Sequence, residues 1–246
     1  QFAAAAEAGY DGVGIDVWTI DALLARGTTL DQINDALDRS GLRCIELQAL
    51  VPDESMPAIA RPPRFTELVE RFRPEIVMAG FPGEPTDALV DVFVAAVDDV
   101  TRHGALVALE FLPMTPLDSI GKTRDIVRRV TEQLGAGRCG VCVDTWHFFR
   151  GPDTWADLEA LPADELAYIQ FNDALPVASD DLWHETLQRR AAPGDGELDL
   201  ARFCDVVRAK GYTGPVAVEV MSAELRALGP REHAARTLAG ARRYWP

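Results

Sequence analysis

Residues 105–149 read ALVALEFLPMTPLDSIGKTRDIVRRVTEQLGAGRCGVCVDTWHFF, a strand, a helix and a strand in succession. The runs at 105–113 and 140–148 are apolar without strict polar alternation, as in parallel strands covered on both faces. Between them, Asp118-Ser-Ile-Gly leads into the helical pattern KTRDIVRRVTEQLG, which stops at Gly135. Outward from this passage the same grammar repeats. Further strands are expected at 12–18, 43–50, 75–81, 167–174 and 215–221. Helices open at Thr29, Thr86 and Asp199 and close near Gly41, Gly104 and Gly211, and a last helix covers 223–244 with an Arg-rich end. Alternation at a period of about thirty residues defines a parallel α/β protein. No G-x-G-x-x-G follows a strand, so a dinucleotide-binding fold has no support. Seven strand–helix units predict a (β/α)8 TIM barrel lacking its first β-strand, because the chain opens inside the helical run AAAAEAGY. No linker divides residues 1–246, so one domain is expected. Its longest inter-strand stretch, 175–214, belongs on the C-terminal, catalytic face.

Across 246 residues, 39 acids face 24 bases, a net charge of −15. Such a surface repels phosphate backbones and anionic lipid. No apolar run is long enough for a membrane span, and QFAAAAEAGY lacks a signal peptide's basic start and cleavage site. These features predict a soluble cytoplasmic protein that binds neither nucleic acid nor membrane. Four cysteines are too few for a disulfide scaffold. Cys139 and Cys142 match C-x-x-C, but an offset of three in a strand points them to opposite faces, and no second pair completes a zinc site.

Four polar side chains interrupt or close the apolar strands: Glu110 in LVALEFLP, Asp144 in VCVDTWHF, Gln170 in AYIQFNDA and Glu219 in VAVEVMS. An unpaired buried carboxylate is costly, so three of them need a cation or hydrogen bonds. On consecutive barrel strands all four can converge on one axial point. Three carboxylates and an amide oxygen suit a hard divalent ion, Mn²⁺ or Mg²⁺, better than a structural zinc. Pro193-Gly-Asp-Gly196 lacks the Lys-Ser/Thr of a phosphate loop and reads as a turn ahead of the Asp199 helix cap.

Glu110, Asp144-x-x-His147, a strand closing near Asn172-Asp173, Arg190-x-x-Pro-Gly-Asp-Gly and a last-strand Glu219 together resemble the xylose isomerase-like TIM-barrel superfamily of sugar phosphate isomerases and epimerases. The resemblance runs from Ala3 to Tyr244. It implies that Glu110, Asp144, Gln170 and Glu219 bind one divalent metal and that His147 and Arg190 face the substrate. The chain departs from the pattern in three places. Gln170 replaces a common histidine, as in some dehydroshikimate dehydratases; Gly14 stands where a glutamate is common, so a supporting role there is lost; and the first strand is missing.

A metal that chelates a carbonyl and its neighbouring hydroxyl acidifies the adjacent C–H. The resemblance to ketose epimerases implies that Glu110 and Glu219 then remove and return the proton, with His147 as donor or relay. Arg190 is expected to grip a carboxylate or phosphate in bidentate fashion, with Arg189 as its competitor. His184, Gln48 and Trp146 are further substrate-binding candidates, and Trp183 and Phe111 could add apolar wall. The expected function is a divalent-metal-dependent isomerase or epimerase of a sugar-like polyol, working through an enediolate. The alternative is a dehydratase of the 3-dehydroshikimate type. Behind both stands a non-catalytic or partner-dependent barrel, since open sheet edges invite a second copy or a partner subunit. Three-zinc abasic-site endonucleases share the fold, but they need more histidines than His103, His147, His184 and His233 supply.

Overall fold

The computed structural model describes residues 1–53 and 56–246. Seven parallel strands form one nearly closed barrel sheet: β1 (Gly12–Asp16), β2 (Arg43–Leu50), β3 (Ile76–Ala79), β4 (Leu106–Glu110), β5 (Cys139–Asp144), β6 (Leu166–Gln170) and, last in the chain, β9 (Val216–Ala217). A two-residue antiparallel ribbon, β7 (Asp173–Ala174) with β8 (Arg190–Ala191), stands apart from it. Each barrel strand pairs with its predecessor, and β1 and β9 are the sheet's edges among the described residues. The first element is the helix Phe2–Ala8, in keeping with a barrel short of its first strand. No helix is long and apolar enough to cross a membrane among the described residues.

The sheet separates two apolar layers. A large core lies between strands and helices and includes Val107, Leu109, Val141, Val143 and Ile169. A small second cluster, Ile76, Ala108, Cys142 and Tyr168, fills the other face. Residues two apart share a face, so Ala108, Cys142, Tyr168 and Ala217 form a floor beneath Glu110, Asp144, Gln170 and Glu219. Cys139 belongs to the outer core and Cys142 to the inner cluster, the opposite-face arrangement expected for C-x-x-C. Both thiols are free and buried. Burial pushes the Cys139 thiol up to about 12, so the pair is chemically quiet.

Several predicted boundaries move, each for a local reason. The strand expected at 140–148 ends at Asp144, because Asp144 Oδ1 accepts the His147 amide at 3.1 Å and caps the helix Thr145–Arg150. The strand expected at 12–18 likewise stops at Asp16, whose carboxylate accepts from the Thr19 amide at 2.7 Å and starts the helix Val17–Ala25. The strand expected at 167–174 divides into β6 and β7, and the one at 215–221 shrinks to two residues. The final helix breaks at Gly229 (φ 84°), with Pro230 opening Pro230–Ala241 after Ala223–Ala227.

Two carboxylates tie down the catalytic-face loops. Asp173 collects four backbone amides: Ala174 and Leu198 on Oδ1, at 2.8 and 3.0 Å, and Gly194 and Gly196 on Oδ2, both at 3.0 Å. Gly196 is obligatory here, since a Cβ would lie 2.3 Å from both the Ala174 carbonyl oxygen and Asp173 Oδ1. Asp153 Oδ2 accepts the Ile120 amide at 2.9 Å and caps the helix Ile120–Leu134, whose own Ser119 makes no side-chain cap. Burial, with help from Asp157 and Asp118, raises the Asp153 carboxyl to about 6.

Asp173→Asn offers one oxygen where two carboxylate oxygens served four amides. It is expected to lower stability by about 2–4 kcal/mol, read from urea unfolding. Asp153 titrates near 6 when folded and in the ordinary carboxylate range when unfolded. The folded state therefore holds a proton that the unfolded state has released between about pH 4 and 6, and its stabilising contribution is lost as pH rises through that window. Asp153→Asn keeps the capping oxygen without the ionisation. Across pH 4 to 7 the variant should gain stability relative to the parent; parallel profiles would refute the assignment.

Candidate active site

The predicted ligands reach one place because the barrel shears. Glu110 pairs with Cys142, whereas Asp144 pairs with Gln170 and Gln170 with Ala217. Asp144 and Glu219 thus stand one pleat above the residues that pair with the preceding strand. Glu110, Asp144 and Gln170 are the last residues of β4, β5 and β6, and all three are buried.

Arg190 organises the cluster. Its guanidinium is 1% exposed, and Nη1 donates to Asp144 Oδ2 and Glu219 Oε2, both at 2.8 Å. Nε donates to the Thr186 carbonyl at 3.1 Å, and Nη2 donates to Thr186 Oγ1 at 2.8 Å. Nη2 also lies 3.4 Å from His147 Nε2. In this arrangement the fork is engaged with the protein's own acids rather than free to clamp an anion. Arg189 points elsewhere, to Glu185 and the Pro176 carbonyl.

His147 sits on the first turn capped by Asp144, with Nε2 3.3 Å from Glu110 Oε1. Glu110, Asp144 and His147 each offer a ligand atom within 4.8 Å of the others. Histidine therefore joins the acids more closely than the sequence implied. Asn172 Nδ2 donates to Asp144 Oδ2 at 2.9 Å, and Gln48 Nε2 donates to Glu219 Oε1 at 3.3 Å. Gln170 turns its Nε2 to Glu46 Oε1 at 2.9 Å, while its Oε1 accepts from Cys142 Sγ at 3.7 Å. Glu46 is the carboxylate that the sequence reading passed over. It lies two residues before Gln48 on the same strand, so the parity that singled out Gln48 also points to it. It stands opposite Gly14, with Glu46 Oε2 2.6 Å from where a Gly14 Cβ would stand.

Two other candidates are placed differently. Trp146 is 1% exposed, with its ring edge-on to His147 at 5.4 Å and the Arg190 guanidinium 5.9 Å from its centroid. It supports the site from behind instead of offering a stacking surface. His184 lies exposed on the helix Leu182–Gln188 and lines an open hollow with Gln188, Arg189 and Ser222, apart from the acids.

Three buried carboxyls, Glu46, Glu110 and Asp144, and the mostly buried Glu219 gather at this end of the barrel, and Arg190 pairs with two of them, Asp144 and Glu219. Burial raises the Glu219 carboxyl to about 7 against the pull of Arg190. Glu46 is held well above the carboxylate range by burial and by repulsion from Glu219 and Glu110. His147 Nδ1 and Gln48 Oε1 are buried without a partner among the described residues. Excess negative charge, oxygen donors and spare polar atoms in one concave end fit a divalent cation.

Strand ends that gather acids at the C-terminal mouth of a parallel α/β barrel put them on the face where barrels of this class carry their sites. The chain belongs to the xylose isomerase-like TIM barrel family, which it matches over residues 2–244. It is 31% identical to a 3-dehydroshikimate dehydratase of Pseudomonas putida over 39% of its length and 15% of that protein. It is 27% identical to an inosose isomerase of Halalkalibacterium halodurans over 58% of its length and 49% of that protein. The chain thus spans half or less of these two relatives. Its fold matches the crystal structure of the IOLI protein with a bound zinc atom, with a TM-score of 0.78 at 18% identity, covering 97% of this chain and 89% of that one.

Arg190→Met should leave Asp144 and Glu219 buried without their shared cation and cost about 3–5 kcal/mol in metal-free buffer, measured by urea unfolding. An unchanged midpoint would mean that the acids are neutral or solvated.

Proposed function

We propose that the chain is a divalent-metal-dependent isomerase or epimerase that moves a proton beside a carbonyl of a sugar or sugar-like polyol. The observation carrying this reading is the meeting of Glu110, Asp144, His147 and Glu219 around Arg190 at one end of the barrel. Glu110, Asp144, Gln170 and Glu219 are the residues to hold one ion, with His147 beside them. Mn²⁺ and Mg²⁺ fit the oxygen-rich set, and the zinc in the related structure supports a divalent ion more broadly. When bound, the ion would polarise the substrate carbonyl and lower the pKa of the neighbouring C–H.

Glu219 is the carboxyl to carry the proton, held in place by Arg190 and Gln48. Glu110 is its counterpart across the cluster, and His147 Nε2, between Glu110 and Arg190, is placed to relay a proton to or from a substrate oxygen. Arg190 keeps Asp144 and Glu219 in position while they act. With its fork already engaged, an uncharged polyol suits the site better than a phosphate ester. A second reading, dehydration of a 3-dehydroshikimate-like substrate through the same enolate, draws on Gln170 and on the dehydratase relative.

The deciding experiment loads the protein with Mn²⁺ in D₂O, offers ketoses, inososes and dehydroshikimate, and follows solvent exchange by NMR. Deuterium entering beside a ketose or inosose carbonyl, with loss of about 10²-fold or more in rate on Glu110→Gln or Glu219→Gln, is the expected result. Conversion of dehydroshikimate alone would establish the second reading. Exchange that survives both substitutions and fails only with Arg190 removed would overturn the shared mechanism.

A further inference from the structure

We propose that Glu46, seated over Gly14, is a positioning residue that fixes which end of the Gln170 amide faces the carboxylate cluster. The inference rests on the reading of these acids as a divalent-ion site. Glu46 is 4% exposed on the lumen side of β2, directly across the β1–β2 pairing from Gly14. A Cβ on Gly14 would come within 2.6 Å of Glu46 Oε2 and 3.4 Å of Glu46 Cβ. The glycine therefore leaves the space that the glutamate head occupies. A methyl group there would push the carboxyl head away from the position in which it meets Gln170.

The two ends of a primary amide differ only in chemistry: NH₂ donates and oxygen accepts. Gln170 Nε2 donates to Glu46 Oε1 at 2.9 Å, and its oxygen takes the weak Cys142 thiol donor at 3.7 Å. Turning the amide over would set its oxygen against a carboxyl oxygen and its NH₂ against the thiol. Glu46 thereby commits the oxygen of Gln170 to the remaining side, the only end of that side chain able to serve a cation. A histidine ligand is commonly oriented by a carboxylate behind it. Here the same arrangement is made for an amide, with the carboxylate supplied by β2 and the room for it by β1.

The test is a mutant cycle read by Mn²⁺ affinity, from EPR titration of free Mn²⁺, with urea midpoints measured in parallel. Glu46→Gln is isosteric but can donate or accept, so it no longer selects an orientation; it should weaken Mn²⁺ binding about tenfold or more. In a Gln170→Ala background the same change should have no effect on Mn²⁺ affinity. Gly14→Ala, which displaces the carboxyl by contact, should mimic Glu46→Gln, and its effect on Mn²⁺ affinity should vanish in a Glu46→Ala background. Wild-type protein that binds Mn²⁺ equally well with and without Glu46→Gln, or an equal loss in both Gln170 backgrounds, overturns the positioning role and leaves the metal site standing. Failure of the wild-type protein to bind Mn²⁺ overturns the site reading and this inference together.

Discussion

The cost of carrying carboxylates into a protein interior governs this end of the molecule. Glu110 and Asp144 close strands whose other residues are apolar, and neither can stay there unbalanced. Among the described residues one guanidinium, that of Arg190, reaches the cluster, and it bridges Asp144 to Glu219 through a single nitrogen. Thr186 takes the rest of the fork, from its hydroxyl and its carbonyl, so the cation is held on both flanks. One positive charge among four carboxyls leaves a deficit. Burial raises the Glu219 carboxyl to about 7, which eases part of it. The remainder is the negative charge that the proposed divalent ion would offset.

Delivering Arg190 to that point is the task of a segment outside the barrel sheet. The β7–β8 ribbon pairs Asp173 with Ala191 and Ala174 with Arg190. Asp173 faces the Gly194–Leu198 turn and gathers its amides, so the strand carrying the arginine and the turn that follows it are fastened by one carboxylate. The Pro-Gly-Asp-Gly stretch is thus a clasp for the ribbon, and Gly196 is required because two oxygens approach it closely.

The parallel strands were legible because each is a run of apolar residues between clear helix stops. All four candidate positions, Glu110, Asp144, Gln170 and Glu219, stood out because a polar residue interrupting or closing such a run has no packing excuse. The same reasoning extended the strands too far at 17–18 and 145–148, where an aspartate ends the ladder by capping a helix. That is a local hydrogen bond invisible to hydropathy. Thr186 left no signal, since its contact with Arg190 depends on how a short helix folds back. Glu46 did leave one: it shares the parity of Gln48, and the glycine opposite it marks the space it fills. Trp146 and His184 were misplaced for a common reason. Sequence position near a catalytic loop says nothing about which way a helix turns its faces, and one was turned inward while the other faces solvent.

The Asp173 clasp has a consequence for how this molecule can be watched. The amides of Gly194, Gly196 and Leu198 are bonded to a buried side chain rather than to a helix or a sheet ladder. Their exchange with solvent requires the turn to come away from Asp173, whose strand pairs with the one that carries Arg190. Three backbone protons therefore report how often this clasp opens, a clock on the loops of the barrel mouth that needs neither substrate nor label.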